Sequence, residues 1–398
     1  MINKKIDTNL AYYLKNNIYK NYRVLIECKH FSKNISSKII SLKGTVLYYI
    51  ESLNLIAAEL SPKGVERILE FPEVSYVCFD EYVHLCATPT GVTTANGLRF
   101  SANYKFTGKG IGIAVIDSGV YPHKDLLEPS NKIKHFRDLI NNLSYPYDDN
   151  GHGTFISGLL CASGLYSKYV YKGIAANAHI CSFKAFDGKG KGFVSSILYA
   201  LNCVFDICTD YNIRVICLPG ELLMHNYIIE IYFDKLFKIC CDKNIIVVVP
   251  AGSNSGSLSS ITGFATSKHC ITAGGLLSSS KQYKPYKYSS SGPYGKLTKP
   301  DLAACADSIT SLNSDITYLS ERNGIKLYPH NLENLYTTYS GTSCAAAYIS
   351  AIIALLLEDN PSLGFNDVLS ILKLACIPIE LDKTIIGAGI VDFNKLIT

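Results

Sequence analysis

The stretch Ser340-Gly341-Thr342-Ser343-Cys344-Ala345-Ala346-Ala347 constrains this chain more than any other. A turn of small residues leads directly into an apolar run that continues to Leu357. The pattern predicts a tight turn followed by a helix buried on all sides, with the Ser343 hydroxyl in its first turn. The run is shorter than the ~20 residues a membrane span takes, which makes it a core helix. Amides in a helix's first turn have no partner within the helix, and the helix dipole is positive there. Both would serve an oxygen that attacks a carbonyl, and the oxyanion that results. Taken alone, a Ser in this position is an N-cap more often than a nucleophile, so the decision rests on the rest of the chain.

The length of 398 residues allows two or three domains, or one large domain with an appendage. A hydrophobic content of 48% with 18% charged residues is that of a globular chain. The net charge of +5 is spread along the sequence with no block of like charges, so it carries no nucleic-acid or membrane signal. The opening MINKKIDTNLAYYLKNN lacks the apolar core of a signal peptide, and the expectation is a soluble, cytoplasmic protein. The 14 cysteines have no paired CxxC spacing, which gives no zinc signature; they read as reduced, mostly buried thiols.

Residues 1–21 read as a polar, basic lead. Strands are expected at 22–28, 45–50, 55–60 and 74–80, with a helix around 36–42. Ser61-Pro62 opens a second helix, carried by Val65, Ile68 and Leu69, with proline in its tolerated first-turn position. Residues 22–86 thus form a small α+β module with an antiparallel sheet. Residues 87–107, rich in Thr, Gly and Asn, read as a linker. A larger unit, 108–398, follows, with buried strands at 110–117, 180–183, 214–218 and 245–249 and helices at about 192–210 and 225–241. Continuous apolar strands alternating with helices predict an α/β fold, a parallel sheet with helices on both faces. Ligands in such sheets bind at the carboxyl ends of strands, where Asp117 stands.

Two further stretches bear on Ser343. Val115-Ile116-Asp117-Ser118-Gly119 ends a strand on a carboxylate, and Asp148-Asp149-Asn150-Gly151-His152-Gly153-Thr154 sets a His between two glycines. Each alone has an ordinary structural reading, a turn residue or a loop His. Together Asp, His and Ser are the groups an activated hydroxyl needs: His takes the proton, Asp orients the imidazole, Ser attacks.

On these motifs the chain resembles the subtilases, the subtilisin-like serine proteases. Asp-Ser-Gly, His-Gly-Thr and Gly-Thr-Ser-Cys-Ala stand in that family's order, and Ser289-Ser290-Ser291-Gly292-Pro293 with Lys299-Pro300-Asp301-Leu302-Ala303-Ala304 resembles a further family stretch. The resemblance implies a subtilisin-like catalytic domain preceded by a ferredoxin-like inhibitory propeptide, joined near Cys86 and Ala87, and is greatest to the intracellular bacterial branch. It implies a serine endopeptidase acting on proteins or peptides, made as a zymogen, with Ser343 as nucleophile, His152 as base and then acid, and Asp117 as the orienting carboxylate. It also implies substrate-binding segments at Leu218, Pro219 and Gly220 and at Pro250, Ala251 and Gly252. The propeptide would act as the chain's own inhibitory partner, and the chemistry needs no cofactor. A structural calcium ion is compatible with the family. Asp125, Asp148 and Asp149 are loop carboxylates of suitable chemistry, with no spacing that assigns a site.

The sequence departs from the family in three places. The oxyanion stretch reads Ala251-Gly252-Ser253-Asn254-Ser255-Gly256, which makes Asn254 the donor counted from Gly256 and Ser253 the donor counted from Ala251. Asn254 is the preferred reading, for its longer amide arm. The substrate strand continues as Pro219-Gly220-Glu221: Pro219 has no N–H to give an extended substrate, and Glu221 adds negative charge near the first specificity pocket. A preference for Lys or Arg before the cut follows from that charge. After the nucleophile the chain has Cys344-Ala345-Ala346-Ala347, and Phe155 stands where a second His is usual. These changes motivate an alternative reading, a degenerate subtilase that regulates or binds and cleaves at most itself.

Overall fold

The computed structural model describes residues 5–29, 33–85, 88–89, 105–254, 257–277, 283–377, 379–392 and 395–396. The chain forms two compact units, 1–82 with 193–203, and 83–192 with 204–398. The first unit ends at Tyr82 and takes in a short piece of later chain, 193–203.

The first unit is a four-stranded antiparallel sheet of β1 (Tyr22–Cys28), β2 (Thr45–Ile50), β3 (Leu55–Leu60) and β4 (Val74–Phe79), in the order β2-β3-β1-β4. Helices α1 (Thr8–Lys15), α2 (Lys33–Ser41) and α3 (Pro62–Leu69) accompany it. Ser61 caps α3 by accepting from the Gly64 amide, with Pro62 at the start, so sequence and structure agree on why this helix begins where it does. The lead is more than polar: Leu10 and Leu14 of α1 are buried in the same core as Val24, Ile26, Ile35 and Val65. Within this unit the Asp80 carboxylate accepts the Ser195 amide at 2.6 Å and pairs with Arg23 at 2.5 Å, while Arg23 lies 3.7 Å from the centre of the Phe193 ring. Tyr48 and Tyr199 stack with ring centres 4.6 Å apart.

The second unit is the predicted α/β fold. Its sheet runs parallel through β5 (Gly112–Asp117), β6 (Ile133–Asp138), β7 (His179–Lys184), β8 (Ile213–Cys217), β9 (Ile246–Pro250), β10 (Ile271–Leu277) and β11 (Leu302–Cys305). The spatial order is β11-β10-β9-β8-β5-β7-β6, and β11 is flanked by a short strand at Ile390–Val391. Every residue of β5 and β9 is buried, as expected of central strands covered on both faces. β6 was not evident in the sequence because it is an edge strand with half-exposed polar residues. β10 carries Gly274 and Gly275, which break an apolar signature.

The helices of this unit include α4 (His152–Cys161), α6 (Tyr227–Asp242), α7 (Thr342–Asp359) and α8 (Phe365–Ala375); α5 (Val194–Ile207) divides between the units. From Thr342 to Leu357 no residue of α7 is more than 8% exposed, and the helix packs on β8, β9, β10, β11 and α4. Ala345, Ala346, Ala347, Ala351 and Ala354 let its backbone come close to the sheet. Although α7 is long and apolar enough to cross a membrane, 89% of it is buried inside the protein.

Candidate active site

Three elements deliver the three residues. Asp117 is the last residue of β5, His152 the first of α4, and Ser343 lies in the first turn of α7. His152 Nδ1 lies 2.9 Å from both Asp117 carboxylate oxygens, and His152 Nε2 lies 3.1 Å from Ser343 Oγ. Ser343 and Asp117 are fully buried and His152 is 3% exposed. With Nδ1–H donating to Asp117, Nε2 is the acceptor that Ser343 needs.

The spacing of these groups is fixed by a second layer. Asp148 is fully buried and accepts from the Ser118 hydroxyl, the Asn150 and Gly151 amides, and both the amide and hydroxyl of Thr154. It thereby ties the turn after Asp117 to the start of the His152 helix. Ser118 Oγ accepts the Gly153 amide at 2.9 Å. Gly153 must be glycine: a Cβ there would stand 2.1 Å from the Gly119 carbonyl oxygen. Gly119 itself has φ +118, with the Tyr147 carbonyl against it. On the other side of the turn, buried Lys184 donates to the Ser118 carbonyl at 2.6 Å and to Asp149 at 2.5 Å.

These bonds also answer the calcium expectation. Asp148 is surrounded by N–H and O–H donors, Asp149 pairs with Lys184, and Asp125 accepts from Ser163, Tyr166 and Tyr336. Donors and a cation are the wrong surroundings for a metal ligand. Among the described residues, no cluster of His, Cys, Asp or Glu is arranged to hold a metal.

The segments expected to bind substrate lie beside the triad. Leu218, Pro219, Gly220 and Glu221 follow β8, and Pro250 ends β9, leading to Ala251 and Gly252. The Gly252 carbonyl accepts the Thr342 hydroxyl at 3.2 Å and the Ser290 amide at 3.1 Å, which links this loop to the nucleophile's turn and to the Ser289–Ser291 stretch. Glu221, 5% exposed, accepts the Ser253 amide at 2.6 Å and the Ser253 hydroxyl. Asn254, expected to offer its amide to the oxyanion, instead donates it to the Ser260 carbonyl at 3.3 Å and to Thr262 at 3.4 Å. The longer arm that favoured Asn254 in the sequence is what lets it reach this neighbouring loop. Phe155 is buried and stacks on Tyr339 with ring centres 4.6 Å apart.

The chain's own backbone runs along the site. Leu85 and His84 pair antiparallel with Gly220 and Glu221, and Pro89 and Thr88 pair with Tyr339 and Ser340. The expected junction residues Cys86 and Ala87, between these two pairings, lie outside the described residues. Two cysteines stand close to the chemistry. Burial pushes the Cys344 thiol up to about 12 and the Cys217 thiol up to about 12, which leaves both protonated and unreactive at neutral pH.

A buried Ser-His-Asp set at the carboxyl end of a parallel sheet defines a serine hydrolase of subtilisin type. The chain belongs to the subtilase family (Peptidase_S8), whose profile matches residues 108–376. It is 31% identical over 359 residues to "Serine protease AprX" of Bacillus subtilis (strain 168), covering 85% of this chain and 78% of that protein. It is 25% identical over 331 residues to "Subtilisin NAT" of Bacillus subtilis subsp. natto, covering 81% and 76%. The fold is similar to that of fervidolysin from Fervidobacterium pennivorans, described as a keratinolytic enzyme related to subtilisin, with TM-score 0.69 at 16% identity. That match covers 95% of this chain, which spans 61% of the fervidolysin chain. The protein is accordingly a subtilisin-like serine endopeptidase.

Proposed function

We propose that the chain is a zymogen that cuts itself between Cys86 and Ala87 and then hydrolyses protein or peptide substrates through an ester on Ser343. One observation carries this reading. Strand pairings at 84–85 and 88–89 bracket two residues, so no more than ~11 Å separates Leu85 from Thr88, and the second pairing is to Ser340, three residues before the nucleophile. An extended substrate is held by adding a strand to an exposed edge, and the chain's own tail does so here.

The chemistry follows from the distances. Ser343 Oγ gives its proton to His152 Nε2 and attacks the carbonyl carbon, forming a tetrahedral oxyanion. The proton passes from His152 to the leaving amine as the C–N bond breaks. Water, deprotonated by His152, then releases the acyl group and restores the Ser343 hydroxyl. Asp117 keeps the imidazole in the required tautomer throughout. The oxyanion lies at the positive end of α7, where the Ser343 amide is a donor; the Ser253 hydroxyl, which in this structure donates to Glu221, becomes the side-chain donor in place of Asn254 only by leaving that bond.

Residues 22–86 act in this reading as an inhibitor that leaves its tail in the site. A cytoplasmic, reducing setting is supported by the cysteines, which among the described residues are all free thiols, most of them buried. The alternative, a degenerate subtilase, draws on the altered rim, but the short bonds linking Asp117, His152 and Ser343 favour activity. Intact mass of the wild type beside Ser343→Ala tests the proposal. The wild type should separate into fragments ending at 86 and starting at 87, with the variant whole. A wild type that stays whole would favour the degenerate reading.

A further inference from the structure

The strand Tyr336–Ser340 leads straight into the nucleophile's turn. One of its edges pairs with Ile309–Leu312, and the other pairs with Thr88 and Pro89 through Ser340 and Tyr339. Its carboxyl end is fixed locally. Ser340 Oγ accepts the Ser308 amide at 2.9 Å and donates to Asp307 at 3.0 Å, and the Gly341 amide donates to the Ala306 carbonyl at 2.7 Å. Its amino end emerges from the connection 313–335, which carries a two-stranded ribbon of Glu321–Arg322 with Ile325–Lys326 and the exposed side chains of Ile325 and Tyr328. A connection of this length does little by itself to hold the strand end in place.

The hold comes from the segment that follows Asp117. His123 and Asp125 are both buried there. The Asp125 amide donates to His123 Nδ1 at 3.1 Å, so the ring carries its proton on Nε2, and that N–H donates to the Leu335 carbonyl at 3.0 Å. Burial holds the imidazole below its ordinary value, which keeps it neutral at pH 7. The same Leu335 carbonyl accepts the Asn313 amide at 2.9 Å and so closes the base of the connection. One residue on, the Tyr336 hydroxyl donates to Asp125 Oδ2 at 2.6 Å, a bond strengthened by the charge of its acceptor. Asp125 Oδ1 accepts the Ser163 hydroxyl at 2.8 Å and the Tyr166 amide at 3.3 Å, which anchors the carboxylate from behind.

We propose that His123 and Asp125 are positioning residues for the leaving-group side of the substrate: by gripping Leu335 and Tyr336 they hold Tyr336–Ser340 as a fixed edge to which the residues after the cut add as a strand. The inference rests on the protease reading above, in which Thr88 and Pro89 follow the scissile bond. Strand addition gains its main-chain hydrogen bonds in full only where the receiving edge is already extended. An edge freed at Leu335 and Tyr336 would have to be ordered at every binding event. That cost falls on the residues after the cut, whereas those before it meet the segments at 218–221 and 250–252.

The test compares two substrates of the full chain that share one acyl sequence. One ends in p-nitroaniline, and the other continues as a peptide long enough to reach Tyr339. The ratio of their kcat/KM values, peptide over anilide, is the readout. Tyr336→Phe removes one hydroxyl and keeps the ring, and His123→Leu removes the bond to Leu335. Each should lower the ratio about 10-fold, the scale of one lost bond to a buried partner, with the change mainly in the peptide's KM. His123→Gln has an amide that can donate to Leu335 and accept from the Asp125 amide, so it should restore the ratio. A purely structural role would lower both rates together and leave the ratio where it was. A ratio unchanged in Tyr336→Phe and His123→Leu, or as low in His123→Gln as in His123→Leu, would overturn the proposal and leave the protease reading standing. A wild type that turns over neither substrate would overturn the protease reading itself.

Discussion

Around the triad, Asp148 alone collects five donors, and the groups it ties together come from two separate stretches of chain. The rim a few residues away is held in another way: the Ser253 amide and hydroxyl donate to Glu221, the Asn254 amide N–H donates to Ser290, and the Asn254 side chain is turned toward Ser260 and Thr262. The difference separates two tasks. Proton transfer between fixed groups needs geometry accurate to a fraction of an ångström, which a saturated buried network supplies. The rim is a shaped wall whose buried Glu221 holds Ser253 by its amide and hydroxyl. By the motifs read from the sequence, the departures from the family pattern fall on the rim and not at Asp117, His152 or Ser343.

Five perturbations, the two rim alanines taken as a pair, sharpen this contrast. The largest effect belongs to the triad: Ser343→Ala should lower turnover by about 10⁶-fold, measured on any cleavable peptide. Next comes the buried pair Lys299 and Asp301. Asp301 accepts the Thr272 amide at 2.9 Å and Lys299 at 2.7 Å, and Lys373 approaches its other oxygen at 3.0 Å. Asp301→Asn leaves Lys299 buried without its charge partner and should cost about 3–5 kcal/mol in a denaturant titration.

The same carboxylate sets a pH dependence. Burial would raise Asp301, but Lys299 and Lys373 beside it hold it below its ordinary value. A depressed carboxyl contributes stability that is present above its unfolded value near ~3.9 and is lost as pH falls through the folded one. Wild type should therefore lose more stability below about pH 4 than Asp301→Asn does.

Gly153→Ala is third. Its methyl must displace the Gly119 carbonyl, which moves the start of the His152 helix against the Asp117 turn. A shift near 1 Å should lower kcat about 10²-fold with little change in KM. On the rim, Ser253→Ala should lower kcat by no more than about 10²-fold, while Asn254→Ala should change it less than about threefold. A larger loss from Asn254→Ala than from Ser253→Ala would restore Asn254 as the donor. Smallest of all, iodoacetamide at pH 7 should leave activity unchanged, because Cys344 and Cys217 remain protonated.

Much of this was legible in the residues. The first-unit strands at 22–28, 45–50 and 55–60 have the bounds that periodicity gave, because each alternates or runs apolar between clear turn signals. The triad motifs were legible only together: each alone has an ordinary reading, but Asp117, His152 and Ser343 supply the three groups an activated hydroxyl needs. What escaped is what depends on three-dimensional neighbours. Asp148 and Asp149 looked like cation ligands until their partners, amides, hydroxyls and a buried lysine, were in place. Leu10 and Leu14 fall in a polar lead with weak periodicity, and only the sheet above them makes them core. Asn254 was chosen for donor chemistry, which is blind to the loop at 260–262 that claims its amide.

The account turns on whether the Asp117-His152-Ser343 set is a working catalyst despite its altered rim. The direct measurement is mass spectrometry of the full chain after a fluorophosphonate, beside His152→Ala. A single adduct on the Ser343 peptide of wild type, with none on the variant, is the predicted result. An unlabelled wild type, or equal labelling of the two, would contradict it.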